Sequence, residues 1–141
     1  MARNDKHLTA LRSLRLFHAC NTKELEQIAR LTDEVTVQAG RRIVTEGDTG
    51  AEAFVIVDGI ATVVLGEDRI SDLGPGQHFG ELALLDGGTR TASVDAVTDM
   101  TLLVLSRPAF MGLLDEQPGI ARRVMATMAT IIRDLEHPGS G

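Results

Sequence analysis

Between Phe79 and Val94 the chain reads Phe-Gly-Glu-Leu-Ala-Leu-Leu-Asp-Gly-Gly-Thr-Arg-Thr-Ala-Ser-Val, and here residue types and spacing suit the capture of a small anion. Gly80 lets the backbone approach a ligand closely or take an unusual torsion. Glu81 to Leu85 have room for barely more than one helical turn before Asp86-Gly87-Gly88 ends it. A helix start presents unpaired N–H groups and a partial positive charge. Arg90 opens the following strand, from which its guanidinium can reach back over that start. Backbone donors plus one bidentate cation suit a singly charged phosphodiester. Each residue also has a plainer use. Glu81 can complement a short helix dipole, worth about 0.3–1 kcal/mol; Arg90 can be a solvated cation, and Thr91 and Ser93 solvent-facing strand residues. Their joint arrangement singles the segment out.

Other chemistries find less support. His7, His18, His78 and His137 are scattered without metal-ligand spacing, and each is expected at the surface or in a turn. His78 lies beside the anion segment, but one histidine makes no metal site. There is no Gly-Lys-Ser/Thr stretch for nucleotide hydrolysis. Cys20 falls between two helical patterns with no evident basic partner, so an inert thiol is expected. The reading is therefore a binding protein and not an enzyme, with no metal and no cofactor beyond its ligand.

Composition narrows the partners. The net charge is −6, and Arg41-Arg42 and Arg122-Arg123 are the only basic doublets, both read as solvated, so nucleic-acid binding is not expected. Trp and Tyr are absent and aromatics make up 3%, which removes the usual base-stacking platforms. The single cysteine forms no intrachain disulfide and fits a reducing cytoplasm. Met1 to His7 is unlike a secretory signal. The longest apolar candidate, around Met100 to Leu105, is strand-length and far short of the roughly 20 residues that span a bilayer. A chain of 141 residues, 43% hydrophobic, supports one core.

The elements that must position the segment follow from periodicity. Leu8, Leu11, Leu14 and Phe17 mark a short helix. Asn21 and Glu24 stand at capping-box spacing before a second, whose stripe is Leu25, Ile28 and Ala29. Val35 and Val37 alternate with polar residues, as in a half-buried strand. Ile43-Val44 leads to the turn Glu46-Gly47-Asp48. Phe54 to Val57 and Ile60 to Leu65 flank Asp58-Gly59, which predicts a type I′ hairpin. Arg69 to Leu73 is a weaker strand, closed by Gly74-Pro75-Gly76. Thr91 to Val97 and Met100 to Leu105 complete the β-runs. Ser106 is the expected cap of a helix carrying Phe110, Leu113 and Leu114. Pro118 opens another, with Ile120, Val124, Met128, Ile131 and Leu135 on one stripe, ended by Pro138-Gly139. Evenly spaced short strands argue for an antiparallel β-roll, or jelly roll, flanked by helices: a mainly β, α+β fold. The expected plan is one domain over 1–141, with helices about 8–31, the roll about 33–106 and helices about 107–136.

Phe79-Gly80-Glu81-Leu82-Ala83-Leu84-Leu85, then Arg90-Thr91-Ala92 after eight intervening residues from Glu81, resembles the phosphate-binding cassette of the cyclic nucleotide-binding domain family. The Glu46-Gly47-Asp48 turn, the Asp58-Gly59 pair and the Gly74-Pro75-Gly76 break are similar to family elements at the same places. The likeness extends over about Leu8 to Leu135, with the cassette at 79–92. Thr89 departs from it, since many members carry proline there, and this predicts a looser turn.

That resemblance implies a non-catalytic sensor of cyclic AMP or cyclic GMP, cyclic AMP favoured. It implies that Glu81 accepts from the ribose 2′-hydroxyl and that Arg90 pairs with the cyclic phosphate. The N–H groups of Gly80, Leu82 and Ala83 would line the same oxygens, beside Phe79. Thr91 would meet the phosphate or a guanine amino group, Val63 and Leu73 the purine, and Ile131 would cap the base, although plain core is equally open to Ile131. The C-terminal helices would reposition on binding and offer a surface to a second copy or an effector. DNA binding by this chain alone, and membrane association, are not expected. Two alternatives stay open: a regulatory part of a larger effector, or a scaffold that binds no nucleotide.

Overall fold

The apolar runs in the middle of the chain are too continuous for strands with a wet face, and the architecture buries both of their faces. The computed structural model describes residues 2–136, with side chains from residue 6 onward. Helix α1 (Ala2–Arg12), a 3-10 turn (Arg15–Phe17) and α2 (Thr22–Ala29) precede eight strands. The strands are β1 (Asp33–Val37), β2 (Arg42–Val44), β3 (Glu52–Asp58), β4 (Ala61–Leu65), β5 (Asp68–Leu73), β6 (His78–Phe79), β7 (Ser93–Ala96) and β8 (Met100–Ser106). One-turn helix α3 (Ala83–Asp86) lies between β6 and β7, and α4 (Arg107–Glu116) and α5 (Pro118–Glu136) follow β8.

Two antiparallel four-stranded sheets, ordered β1-β8-β3-β6 and β2-β7-β4-β5, form the roll. On β3, Phe54 and Ile56 point between the sheets, whereas Ala53, Val55 and Val57 pack against the helices. Strand β8 splits in the same way, with Leu102 inside the roll and Leu103 and Leu105 under the helices. This double burial explains why both strands read as unbroken apolar runs. The helix layer closes around Phe17 and Phe110, both fully buried, with ring centroids 5.6 Å apart.

Local signals at the helix ends hold. Asn21 and Glu24 make the reciprocal capping box, both bonds at 2.9 Å. Ser106 Oγ accepts from the Ala109 N–H at 3.3 Å, with Pro108 in the first turn of α4. Arg123 of α5 pairs with Glu24 at 3.0 Å, and Arg15 with Asp134 at 3.6 Å, tying the two ends of the chain together.

Several expectations need correction. Asp58-Gly59 is not a hairpin: β3 and β4 belong to different sheets, and these residues form the corner between them. Gly59 has φ +98 while Asp58 keeps a negative φ, so the type I′ requirement of two positive values is unmet. A Cβ on Gly59 would sit 2.5 Å from the Asp99 carbonyl oxygen, so the corner needs glycine for space as well. The two-residue hairpin instead joins β4 to β5 through Gly66-Glu67, with Leu65 opposite Asp68. Strand β1 is almost wholly exposed, because it is an edge strand paired only with β8. Helix α1 starts at Ala2, well before the first leucine, and His7 is buried with Nε2 3.0 Å from Glu34 Oε1. It stands four residues before Leu11 and so shares the buried face. Each basic doublet spends one arginine on an ion pair: Arg123 as above, and Arg42 on Asp95 with bonds of 2.7 and 3.1 Å. Cys20 is buried; burial and then Glu24 push its thiol up, against a smaller opposing effect of Arg123. The expected closure at Pro138-Gly139, and His137, lie outside the described residues.

Candidate functional site

The chain leaves β6 through Gly80, whose φ is +76, and turns at once into α3. Gly87 ends that helix in the left-handed region, its N–H bonded to Ala83 O at 3.0 Å. The Asp86 carboxylate then accepts from the Gly88 N–H at 2.8 Å. The segment after Gly87 is pinned against the turn that follows β2. Gly50 N–H donates to Gly88 O (2.9 Å), Arg90 N–H to Asp48 O (2.8 Å) and Gly47 N–H to Arg90 O (2.9 Å), with Thr49 bridged to Thr89. These bonds hold the turn through residues 88 and 90, and Thr89 between them takes part only through its bridge to Thr49. The Glu46-Gly47-Asp48 turn thus places the arginine. Arg90 itself precedes strand β7, which starts only at Ser93.

Arg90 lies in a slot between two glycines. A Cβ on Gly50 would overlap its Nε and Cζ and lie 2.9 Å from Cδ, and one on Gly80 would lie 2.5 Å from Nη1. Nη1 donates to Glu52 O at 3.0 Å, and Cζ is 5.7 Å from the Phe54 ring centroid. Phe54 stacks on Phe79 at 4.8 Å, which backs the slot. Burial holds the guanidinium below its ordinary value, opposed by the Glu52 carboxylate. No ion pair to Arg90 occurs among the described residues.

Arg90, Glu81, Val63, Phe79 and Thr91 line one hollow of about 470 Å³, with Gly80, Leu82 and Ala83 on its cassette side. That volume is within the usual range for small-molecule sites. Glu81 Oε2 is buried with no hydrogen-bond partner, an arrangement that costs free energy unless something donates to it. The N–H of Ala83 is already given to Gly80 O at 3.1 Å, whereas Gly80, Glu81 and Leu82 make no such backbone bond. The hollow therefore offers free amides, a half-buried cation and a buried carboxylate oxygen. That set can hold an anion carrying a neighbouring hydroxyl. Among the described residues no three His, Cys, Asp or Glu side chains stand where they could share a metal ion.

Two expected residues are not brought to the hollow. Leu73 pairs with Ala61 and packs inside the roll, while Ser71 is the residue opposite Val63 on β5. Ile131 is half-buried on α5, a helix that packs on the 3-10 turn and α4, and it does not line the hollow. Conversely, the reading from sequence missed Gly50 and Glu52. Both lie forty or so residues before Arg90 in a stretch without a motif, and only the bonds between the turn after β2 and the segment around Arg90 show them to be its neighbours.

Comparison with known proteins bears on the family and the fold. A model of the cyclic nucleotide-binding domain matches residues 34–117. The "Cyclic AMP receptor protein" of Thermus thermophilus is 32% identical over 126 residues, covering 86% of this chain and 58% of that one. A "cAMP-dependent protein kinase regulatory subunit" of Colletotrichum orbiculare is 34% identical over 115 residues, covering 80% and 29%. The chain thus spans little more than half, or less than a third, of these relatives. The crystal structure of the N-terminal domain of a transcriptional regulator from Streptomyces coelicolor A3(2) superposes with TM-score 0.86 at 28% identity, covering 93% of this chain and 94% of that one.

Proposed function

The chain belongs to the cyclic nucleotide-binding domain family, and from that premise we propose that it holds a 3′,5′-cyclic nucleotide as a sensor, cyclic AMP before cyclic GMP, without chemistry on it. The observation that carries this reading is the placing of Glu81 and Arg90 on one hollow: a buried carboxylate oxygen without a hydrogen-bond partner and a half-buried guanidinium without an ion pair among the described residues. A ribose 2′-hydroxyl donates to the first and the cyclic phosphate answers the second. The unused N–H groups of Gly80 and Leu82 supply further donors to the phosphate. Val63 meets the purine. Preference for cyclic AMP is supported by the names of the two relatives above.

Binding shifts the population of the C-terminal helices. The exposed Met125, Ile132 and Leu135 of α5 support a protein partner there, a second copy or an effector. The net charge of −6 supports a role without direct DNA contact. No described helix is long and apolar enough to cross a membrane, and we place the sensor in the cytoplasm, needing no metal or cofactor.

Calorimetric titration of nucleotide-stripped protein with cyclic AMP and cyclic GMP tests this, alongside Arg90→Ala. Tighter binding of cyclic AMP and a loss of about tenfold or more in the variant are expected. Absence of binding to either nucleotide, or an unchanged affinity in the variant, refutes the reading.

A further inference from the structure

Arg107 is the first residue of α4, and its guanidinium does not line the hollow. Both Nε and Nη2 donate to Leu85 O, at 3.2 and 3.1 Å. Leu85 is in the one-turn helix α3, and among the described residues no other donor reaches that carbonyl. The guanidinium has no ion pair among the described residues, so its side-chain hydrogen bonding is spent on this contact. The Arg107 backbone N–H donates to Ala51 O at 2.7 Å, and the next carbonyl, Glu52 O, is the one that accepts from Arg90. The Arg107 stem also runs beside Gly87, where a Cβ would lie 3.5 Å from its Cδ.

We propose that Arg107 is a positioning residue that ties the far end of α3 to α4, so that what happens at the hollow is carried into the C-terminal helices. The residues that lead into α3, Gly80 to Leu82, offer their free amides to the ligand, and the far end of the helix is gripped by α4. The helix is a single turn and moves as one piece. A displacement of Leu82 and Ala83 toward a ligand therefore pulls on Leu85 O and, through it, on the first turn of α4, against which α5 packs. The trigger rests on the cyclic-nucleotide reading above; the tie does not.

Amide hydrogen exchange on Arg107→Met and Arg107→Lys tests the tie. The first keeps the stem beside Gly87 and removes the donors, and the second restores one donor. In ligand-free protein, Arg107→Met should speed exchange at Gly87 and Gly88 by about tenfold, with α2 unchanged, and Arg107→Lys should lie between it and the wild type. With cyclic AMP, the wild type should change protection across 107–136. Arg107→Met should still bind but lose that change. Wild-type exchange at Gly87 in ligand-free Arg107→Met, or undiminished transmission to α4 by that variant, overturns the proposal. If neither nucleotide binds the wild type, the sensor reading falls alone, because the ligand-free comparison still decides the tie.

Discussion

Gly50→Ala isolates the placement of Arg90 from its presence. Gly50 is buried and lacks a positive φ, so alanine costs no backbone strain there. Through the unfolded chain the substitution alone would even stabilise by about 0.4–1 kcal/mol. The added Cβ, however, lands on Nε and Cζ of Arg90 and 2.9 Å from Cδ. The slot cannot widen cheaply, since Gly50 N–H is bonded to Gly88 O and Arg90 N–H to Asp48 O, at 2.9 and 2.8 Å. The guanidinium must leave, losing Glu52 O and its aim at the bound anion. A hydrogen bond to a charged group contributes about 1.5–3 kcal/mol, so cyclic AMP should bind roughly ten- to a hundredfold more weakly. Titration calorimetry measures this, with Gly112→Ala as the control. Gly112 is on α4 with open space around it, and alanine there should raise stability by about 1 kcal/mol and leave affinity alone. A folded Gly50→Ala protein that binds cyclic AMP like the wild type would refute the slot as the device that aims Arg90.

Three further outcomes are expected. Glu81→Ala should bind cyclic AMP and its 2′-deoxy analogue equally, whereas the wild type should prefer the former by about tenfold; equal preference in the wild type would remove the role given to Oε2. Asn21→Ala removes the Oδ1 that caps the Glu24 N–H, one of the two bonds of the capping box, and should cost about 1 kcal/mol, read as a lower melting temperature. The hydrogen bonds from Arg42 hold the Asp95 carboxyl below its ordinary value. The folded value is the depressed one, so the contribution is present above the unfolded carboxylate range, about pH 4, and is lost as pH falls through the lower folded value. Arg42→Ala should therefore lose less stability than the wild type between about pH 6 and pH 3; parallel melting curves in that window would count against the pair.

What could be read without coordinates was local. The cassette and the two helix caps announce themselves because each depends on residues close in sequence: a box three residues wide, a one-turn helix between two glycine stops. Gly80, Glu81 and Arg90 belonged to that set, and the structure brings them to one hollow. The Asp58-Gly59 pair shows the limit. Its composition suits a tight hairpin equally well as a corner, and only the partners of β3 and β4, decided far along the chain, choose between them.

The amino-acid order alone therefore determined the fold class and marked out the cassette segment, since periodicity, capping and glycine placement act over a few residues. Tertiary structure alone decided what aims the arginine and what the segment is bonded to. Gly50 and Glu52 reach Arg90 where the turn after β2 is bonded to the segment before β7, and Arg107 reaches Leu85 across 22 residues. Those contacts exist only once the two sheets have closed and α4 has docked, because a hydrogen bond between distant residues leaves no pattern in the chain that carries it.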